Sequence, residues 1–334
     1  MKMSVSNQRQ IRYNLSMFAP TEIIFSCTTA CNLRCRHCFI DRNPASLKEQ
    51  DAISFLKSAA GSENSQIGRV GFSGGEPFLS AGFLEKVIAA SVESDLMFDR
   101  IMTNGDWWRS EDELRKILRK IYDAGYDGKI CLSYDNFHGQ EEERVSTFIK
   151  NVWEIFGGDS LEIQSVSGDF PSRQKNPSAQ ELLRNLARGL GLTFEEKISE
   201  SGRGAALLRD ETHFLSAYIQ TESRRSTDGL AWRDEKWFED DFCQSMGQIL
   251  FVHATGKIAP CCGFANENES LLIGEITDSF DTVLQKAGEN PMIRLCFEEG
   301  LSGKIPELQK KGKLPPGKTE DICAFCDYIC KSGI

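Results

Sequence analysis

Between about residues 20 and 200, short apolar runs alternate with segments whose apolar positions recur at helical spacing. Thr21–Ser26, Arg69–Phe72, Arg100–Thr103, Lys129–Ser133, Leu161–Ser165 and Thr193–Ile198 are brief, mostly apolar and bounded by turn residues, which suits strands buried on both faces. Helix signals fill the gaps. Ser46, Ser110 and Ser178 are each followed three residues later by a glutamate (Glu49, Glu113, Glu181), the reciprocal capping-box spacing. Leu114, Ile117, Leu118 and Ile121 share one helical stripe with Gly125 as the stop, and Val145, Phe148, Ile149, Val152 and Phe156 repeat it before Gly157-Gly158. Gly61 and Gly189 are the expected ends of the helices begun at Ser46 and Ser178. Six strand–helix repeats predict an α/β fold with a parallel sheet and right-handed crossovers, either doubly wound or a partial barrel. In both, the chemistry lies in the loops at the strand ends.

Residues 205–240 change character, with Arg224-Arg225, Trp232 and Trp237 among many charges, and read as a bridge. Beyond it, Ile249–Val252 and Lys257–Pro260, joined through Thr255-Gly256, predict a hairpin. Phe280, Val283, Leu284 and Ala287 predict a short helix after Asp278, and the Lys-, Pro- and Gly-rich stretch from Lys304 to Asp321 a solvated loop. The expected organisation is an N-terminal extension (1–20), a barrel domain (21–204), the bridge (205–240) and a small C-terminal domain (241–334).

Composition narrows the function. The 334 residues carry 39 Lys plus Arg against 49 Asp plus Glu, a net charge of −10. That balance argues against a nucleic-acid partner, which requires a basic surface. An apolar share of 40% with 26% charged residues excludes wholesale disorder. No run approaches the ~18–20 apolar residues of a membrane span, and the N-terminus is too polar for a secretory signal. A soluble, cytosolic chain with no membrane partner is expected.

Twelve cysteines are the unusual number. Cys27, Cys31, Cys35 and Cys38 lie together near the start. Cys243, Cys261, Cys262, Cys296, Cys323, Cys326 and Cys330 lie in the last hundred residues, with only Cys131 between. Two groups in a reducing compartment point to metal rather than disulfides. Cys31, Cys35 and Cys38, directly after the first strand, can ligate three corners of an iron–sulfur cubane and leave its fourth iron open. Zinc is the alternative, with Cys27 or His37 as fourth donor. Arg34 and Arg36 offset thiolate charge in either case.

This C-x3-C-x2-C loop resembles the signature of the radical S-adenosylmethionine superfamily. Ser73-Gly74-Gly75-Glu76-Pro77, one strand–helix unit later, is similar to that family's GGEP motif. The resemblance implies a partial (β/α)6 TIM-like barrel with a [4Fe–4S] cluster on Cys31, Cys35 and Cys38. The open iron of that cluster would chelate S-adenosylmethionine and cleave it reductively to a 5′-deoxyadenosyl radical. It also implies His37 beside the adenine, the glycines in close backbone approach and Glu76 on the methionine ammonium. Asn104, Ser133 and Asp135 at strand ends, and Arg203 in a Gly-Arg-Gly segment, are further implied contacts. His138, His213 and His253 have no partner at metal spacing and read as structural or exposed.

Cys243, Gly256 and Cys261 in a C-x12-G-x4-C pattern, with the later Cys323 and Cys326, resemble the auxiliary-cluster domains called twitch and SPASM. The resemblance implies one auxiliary [4Fe–4S] cluster on Cys243, Cys261, Cys323 and Cys326, in a small α+β iron–sulfur domain, with Cys330 an alternative ligand or spare. A structural zinc site is the competing reading. Neighbouring side chains on a strand point to opposite faces, so Cys262 is expected as a thiol beside the cluster, the alternatives being a second ligand or a buried small apolar residue, and Cys296, Cys131 and Cys27 as buried thiols. The Pro-Cys-Cys segment, the Gly-Arg-Gly-Ala segment and the strand end from Ser133 to His138 further resemble radical peptide epimerases of ribosomally made peptides. That implies hydrogen abstraction at Cα and return of a hydrogen from Cys262, with a precursor peptide as substrate and a flavodoxin- or ferredoxin-type reductant. The chain departs from that pattern in Gln244–Gln248, which lacks an acidic residue. The alternatives are a thioether or C–C cross-linking maturase, a small-molecule sugar epimerase, and a non-enzymatic electron carrier.

Overall fold

The apolar runs form strands in the computed structural model, which describes residues 18–41, 43–168, 178–198, 204–243 and 245–333. The chain divides into two compact units. One comprises Phe25–Ile53 with Arg69–Glu222; the other comprises the segment ending at Ile24, Ser54–Gly68 and Ser223–Ile334. Strand β1 (Glu22–Ser26) and helix α1 (Glu49–Ala60) each contribute residues to both.

In the first unit, β2 (Arg69–Ser73), α2 (Ala81–Glu93), β3 (Met97–Thr103), α3 (Glu111–Asp123), β4 (Lys129–Ser133), α4 (Glu142–Phe156), β5 (Leu161–Ser167) and α5 (Ala179–Leu190) alternate as expected. The β2–β3, β3–β4 and β4–β5 pairs are parallel. The stripe Leu114, Leu118 and Ile121 of α3 is fully buried, as are Val145, Phe148, Ile149 and Val152 of α4. Each such side chain contributes about 1.5–3 kcal/mol by leaving water. The unit is a partial TIM-like α/β arrangement, and its strand ends carry the candidate chemistry.

The sixth parallel strand is not the expected one. Thr193–Ile198 does form a strand, β6, but it pairs antiparallel with β7 (Gly204–Arg209), which pairs antiparallel with β8 (Phe214–Thr221). It is β8 that lies parallel to β5. The reason is burial. β6 carries Glu195, Glu196 and Lys197 and is largely exposed, whereas Leu215, Ala217 and Ile219 of β8 are buried, and a strand inside a parallel sheet must be covered. Residues 205–221, taken from the sequence as the start of a bridge, are therefore a sheet hairpin.

Helix ends differ in detail. Ser178 forms the full capping box with Glu181. Ser110 accepts from the Glu113 N–H, but the Glu113 carboxylate turns to the Arg109 N–H. Ser46 caps nothing. Its hydroxyl meets Thr28 at 2.8 Å in a β-bridge, and Glu49 pairs with Lys86 instead. α5 ends at Gly191, left-handed at φ +73°, with Gly189 inside the helix.

In the second unit, β9 (Ile249–Val252) and β10 (Lys257–Ala259) form the expected antiparallel hairpin, with Gly256 at φ +87° in its turn, and β11 (Gly274–Glu275) extends it. α6 (Phe280–Glu289) is capped by Ser279 rather than Asp278. α7 (Pro291–Arg294) runs into a π-helical turn, Leu295–Glu299. The expected loop from Lys304 holds α8 (Ile305–Lys310), and α9 (Ile322–Ser332) follows. Among the described residues no helix is long and apolar enough to cross a membrane.

Candidate active site

Two loops of the first unit are stitched together backbone to backbone. After β1, the segment from Cys27 to Ala30 meets the Gly-Gly-Glu turn after β2. Cys27 N–H donates to the Ser73 carbonyl at 2.9 Å, Gly75 N–H to Thr28 at 2.7 Å, and Glu76 N–H to Ala30 at 2.8 Å. The two glycines are there because nothing larger fits. A Cβ on Gly74 would lie 2.6 Å from the Thr28 carbonyl oxygen, at φ +130°, and one on Gly75 2.2 Å from that of Ala30.

This docking fixes the base of the cysteine loop, and burial then sorts its four thiols. Cys27 is fully buried, points its sulfur at the Phe25 carbonyl at 3.6 Å, and has its pKa pushed far up by burial. It is a core thiol and removes one candidate for a fourth zinc donor. Cys31 and Cys35 are half-buried and Cys38 exposed, with Arg34 and Arg36 exposed beside them; none is in a disulfide. Three accessible thiols with basic neighbours are a donor set that fits an iron–sulfur cubane with one corner open. His37 lies 4.9 Å from the Phe137 ring and 5.0 Å from that of His138 (centroid to centroid), and its buried Nδ1 has no hydrogen-bond partner. That orphan is a polar atom available to a ligand.

Glu76 is completely buried and turned inward. Oε1 accepts from Thr103 Oγ1 at 2.9 Å and from the Phe78 N–H at 3.1 Å, and Oε2 from the Asn104 N–H at 2.8 Å. Burial pushes its carboxyl up to about 7 despite these donors. Asn104 carries the connection onward. Its Nδ2 donates to Asn32 Oδ1 at 3.0 Å and approaches Cys31 Sγ at 3.6 Å. Gln140 Nε2 donates to the carbonyls of Asn104 and Ser133. Gln140 went unnoticed in the sequence, since only folding brings it to the site.

Asp135, at the end of β4, is buried and accepts from the Phe137, His138 and Val166 N–H groups and from His138 Nδ1 at 2.8 Å. Burial alone would raise its carboxyl, but the His138 bond and charge hold it below the ordinary value. Burial likewise pulls His138 down, yet Asp135 and the Cys35 thiol outweigh it and bring the imidazole up to about 9. His138 therefore belongs to the site, contrary to its reading as an isolated histidine. His37, Asp135 and His138 bring their ligating atoms within 4.8 Å of one another. His213 is partly exposed beside Asp210, and His253 is half-buried, its pKa lowered to about 4 by desolvation. Arg203 lies outside the described residues.

In the second unit, folding gathers the C-terminal cysteines. Cys261 is buried while the adjacent Cys262 is exposed, as side chains alternating after a strand require. Gly263 lets Cys323 approach, since a Cβ there would lie 2.7 Å from its sulfur. Burial, and then the charges Cys243, Cys262 and Cys323 would carry, push the Cys261 thiol far up. Thiols so placed become thiolates readily only when a metal takes their protons' place. Cys323, Cys326 and Cys330 share one face of α9, and the sulfurs of Cys326 and Cys296 are 3.9 Å apart. Sequence reasoning set Cys296 apart as a core thiol; it is buried, but in contact with an expected ligand.

Known proteins share sequence and fold with this chain. The chain is 24% identical over 312 residues to the putative peptide biosynthesis protein YydG of Bacillus subtilis, covering 90% of this chain and 89% of that one. It is 24% identical over 279 residues to the sporulation killing factor maturation protein SkfB of the same organism, spanning 79% of this chain but only 64% of the relative. Among solved structures, native anSMEcpe with bound AdoMet and Cp18Cys peptide superposes with a TM-score of 0.49 at 17% identity, over 94% of each chain. Residues 25–128 match the family model described as the Radical SAM superfamily. That span contains Cys31, Cys35, Cys38 and the Gly74–Glu76 turn, and the chain carries a radical S-adenosylmethionine domain.

Proposed function

We propose that this chain modifies a ribosomally made peptide and that the modification is epimerisation: removal of a Cα hydrogen from one face and return of another from Cys262. A peptide substrate is supported by the relatives, one named for peptide biosynthesis and one for maturation of a killing factor. When bound at Cys31, Cys35 and Cys38, the cluster with S-adenosylmethionine supplies the hydrogen-abstracting radical. The chain's own residues do the rest. The Gly74-Gly75 turn holds the cysteine loop, Asn104 and Gln140 fix the ends of β3 and β4, and His37, Ser73, Ser133 and Asp135 surround the nucleotide. Arg203 is a carboxylate partner in the same reading. Cys243, Cys261, Cys323 and Cys326 hold one auxiliary [4Fe–4S] cluster in a twitch- or SPASM-like domain.

The observation that carries the epimerase reading is the exposed Cys262 thiol next to the buried Cys261. An S–H bond is weak enough to quench a Cα radical. The resulting thiyl needs one electron and one proton to reset, supplied by a flavodoxin- or ferredoxin-type reductant and by water. In D2O the product peptide should therefore gain one deuterium at Cα and no other mass. Cys262→Ala should still form 5′-deoxyadenosine but yield no D-residue. Normal epimerisation by that variant, or a product lighter by two hydrogens, refutes the assignment.

A further inference from the structure

Cys296 is fully buried, and two features place it beside the expected auxiliary ligands. Its sulfur is 3.9 Å from that of Cys326, and its backbone carbonyl accepts from the Cys243 N–H at 3.2 Å. It lies in the π-helical turn Leu295–Glu299, a widening of the helix that recurs at functional sites. Thiolates on different irons of a cubane are held apart by the body of the cluster, whereas 3.9 Å is a hydrogen-bonding separation for two sulfurs. If Cys326 ligates iron, Cys296 at that distance is not a second ligand.

We propose that Cys296 donates its S–H to the metal-bound sulfur of Cys326 and thereby raises the reduction potential of the auxiliary centre. The direction of the bond follows from the chemistry. A metal-bound thiolate has no proton and can only accept, so the neighbouring thiol must donate. Drawing charge from a ligand sulfur favours the more negative, reduced cluster. Hydrogen bonds to the sulfurs are among the features that set such potentials, and the dry surroundings of Cys296 strengthen the effect. This inference rests on the auxiliary-centre reading, with Cys326 as ligand.

The experiment uses full-length protein with Cys31, Cys35 and Cys38 all changed to Ala, so that only auxiliary iron remains. After anaerobic reconstitution, iron per chain is measured and the cluster is titrated potentiometrically by electron paramagnetic resonance. Cys296→Ala and the bulkier Cys296→Val should keep the parent's iron content. Both should shift the reduction equilibrium toward the oxidised form at least about tenfold, which is 59 mV for one electron. Cys296→Ser, whose hydroxyl can donate, should recover part of the shift. An unchanged potential in Cys296→Ala or Cys296→Val overturns the proposal alone. Loss of iron in both, with retention in Cys296→Ser, overturns it by making the thiol a ligand or a packing element. A parent that binds no iron overturns the auxiliary-centre reading and this inference with it.

Discussion

Gly75→Ala places a methyl group where the cysteine loop already runs. The new Cβ would lie 2.2 Å from the Ala30 carbonyl oxygen, 2.7 Å from its carbon and 2.8 Å from the Thr29 oxygen. All three are backbone atoms, so no rotamer change can relieve the overlap. Restoring ordinary contact takes a shift of about 1 Å in a close-packed region. The same stretch holds the Gly75–Thr28 and Glu76–Ala30 hydrogen bonds. Overpacking costs about 1–3 kcal/mol and each strained backbone bond about 1 kcal/mol, so a loss of about 2–4 kcal/mol is expected. The functional effect is larger, because Cys31 follows Ala30 directly and a 1 Å misplacement near reacting groups can cost about 100-fold in rate. Urea unfolding of the apo chain reads the first effect. The rate of 5′-deoxyadenosine formation at matched iron content reads the second. Gly68→Ala is the control, since its Cβ would meet nothing within 4 Å. If Gly75→Ala unfolds with that control and cleaves S-adenosylmethionine at the wild-type rate, the docking argument is wrong.

Three further outcomes follow from burial and hydrogen bonding. The Glu76 carboxyl titrates near 7 against an ordinary 4.5, so the stability its neutral form contributes is whole below pH 4.5 and is lost as pH rises through 7, about 3 kcal/mol in all. Between pH 4 and 8, Glu76→Gln should gain on the wild type by that amount in urea unfolding; a constant difference rejects the assignment. Cys27→Ala, in a chain lacking Cys243, Cys261, Cys323 and Cys326, should keep its iron where Cys35→Ala loses it, and equal losses would make Cys27 a ligand. Ser178→Ala, which breaks the capping box of α5, should lower stability by about 1 kcal/mol, and an unchanged urea midpoint would show that the cap contributes nothing.

What the sequence made legible was the chemistry that needs fixed spacing. Cys31, Cys35, Cys38, Gly74 and Gly75 announce themselves because thiolates and bare backbone have few substitutes, and the structure places all five in two docked loops. The alternation of strands and helices was equally plain through β5, where apolar runs buried on both faces differ sharply from amphipathic helices. It failed at the sixth strand because β8 alternates buried and exposed residues within a charged stretch, and local pattern does not reveal which strand completes a parallel sheet. Gln140 and His138 were missed for another reason. Their partners are far along the chain or, for His138, a carboxylate whose role only its burial discloses. Ser46 shows the converse error: the capping-box spacing was present, but Thr28 took its hydroxyl.

Glu76 gives the site its internal logic. Read as a motif, it is a carboxylate for a ligand's ammonium group; in the fold, both its oxygens accept from protein donors on the turn after β2 and at the end of β3. Asn104, held by one of those bonds, reaches Asn32 and Cys31 in the cysteine loop, so a single buried carboxylate couples the ends of two strands to Cys31, an expected cluster ligand. Burying it costs free energy, as its raised pKa records, and a merely structural role would be served more cheaply by an apolar side chain. The charge is best explained by what it orients. It fixes the Asn104 amide beside Cys31, and a cationic group arriving nearby would lower the Glu76 pKa and recover part of the burial penalty. On this account ligand binding stabilises the fold around Glu76 less at pH 6 than at pH 8, because at the lower value the carboxyl is mostly protonated and part of the binding free energy goes into ionising it. Thermal shifts on adding S-adenosylmethionine at the two pH values test this in wild type against Glu76→Gln, which should show no such carboxyl-linked proton release. Proton release measured by calorimetry in buffers of different ionisation heat should be larger at pH 6 in the wild type alone, and equal release in both proteins would remove Glu76 from the binding step.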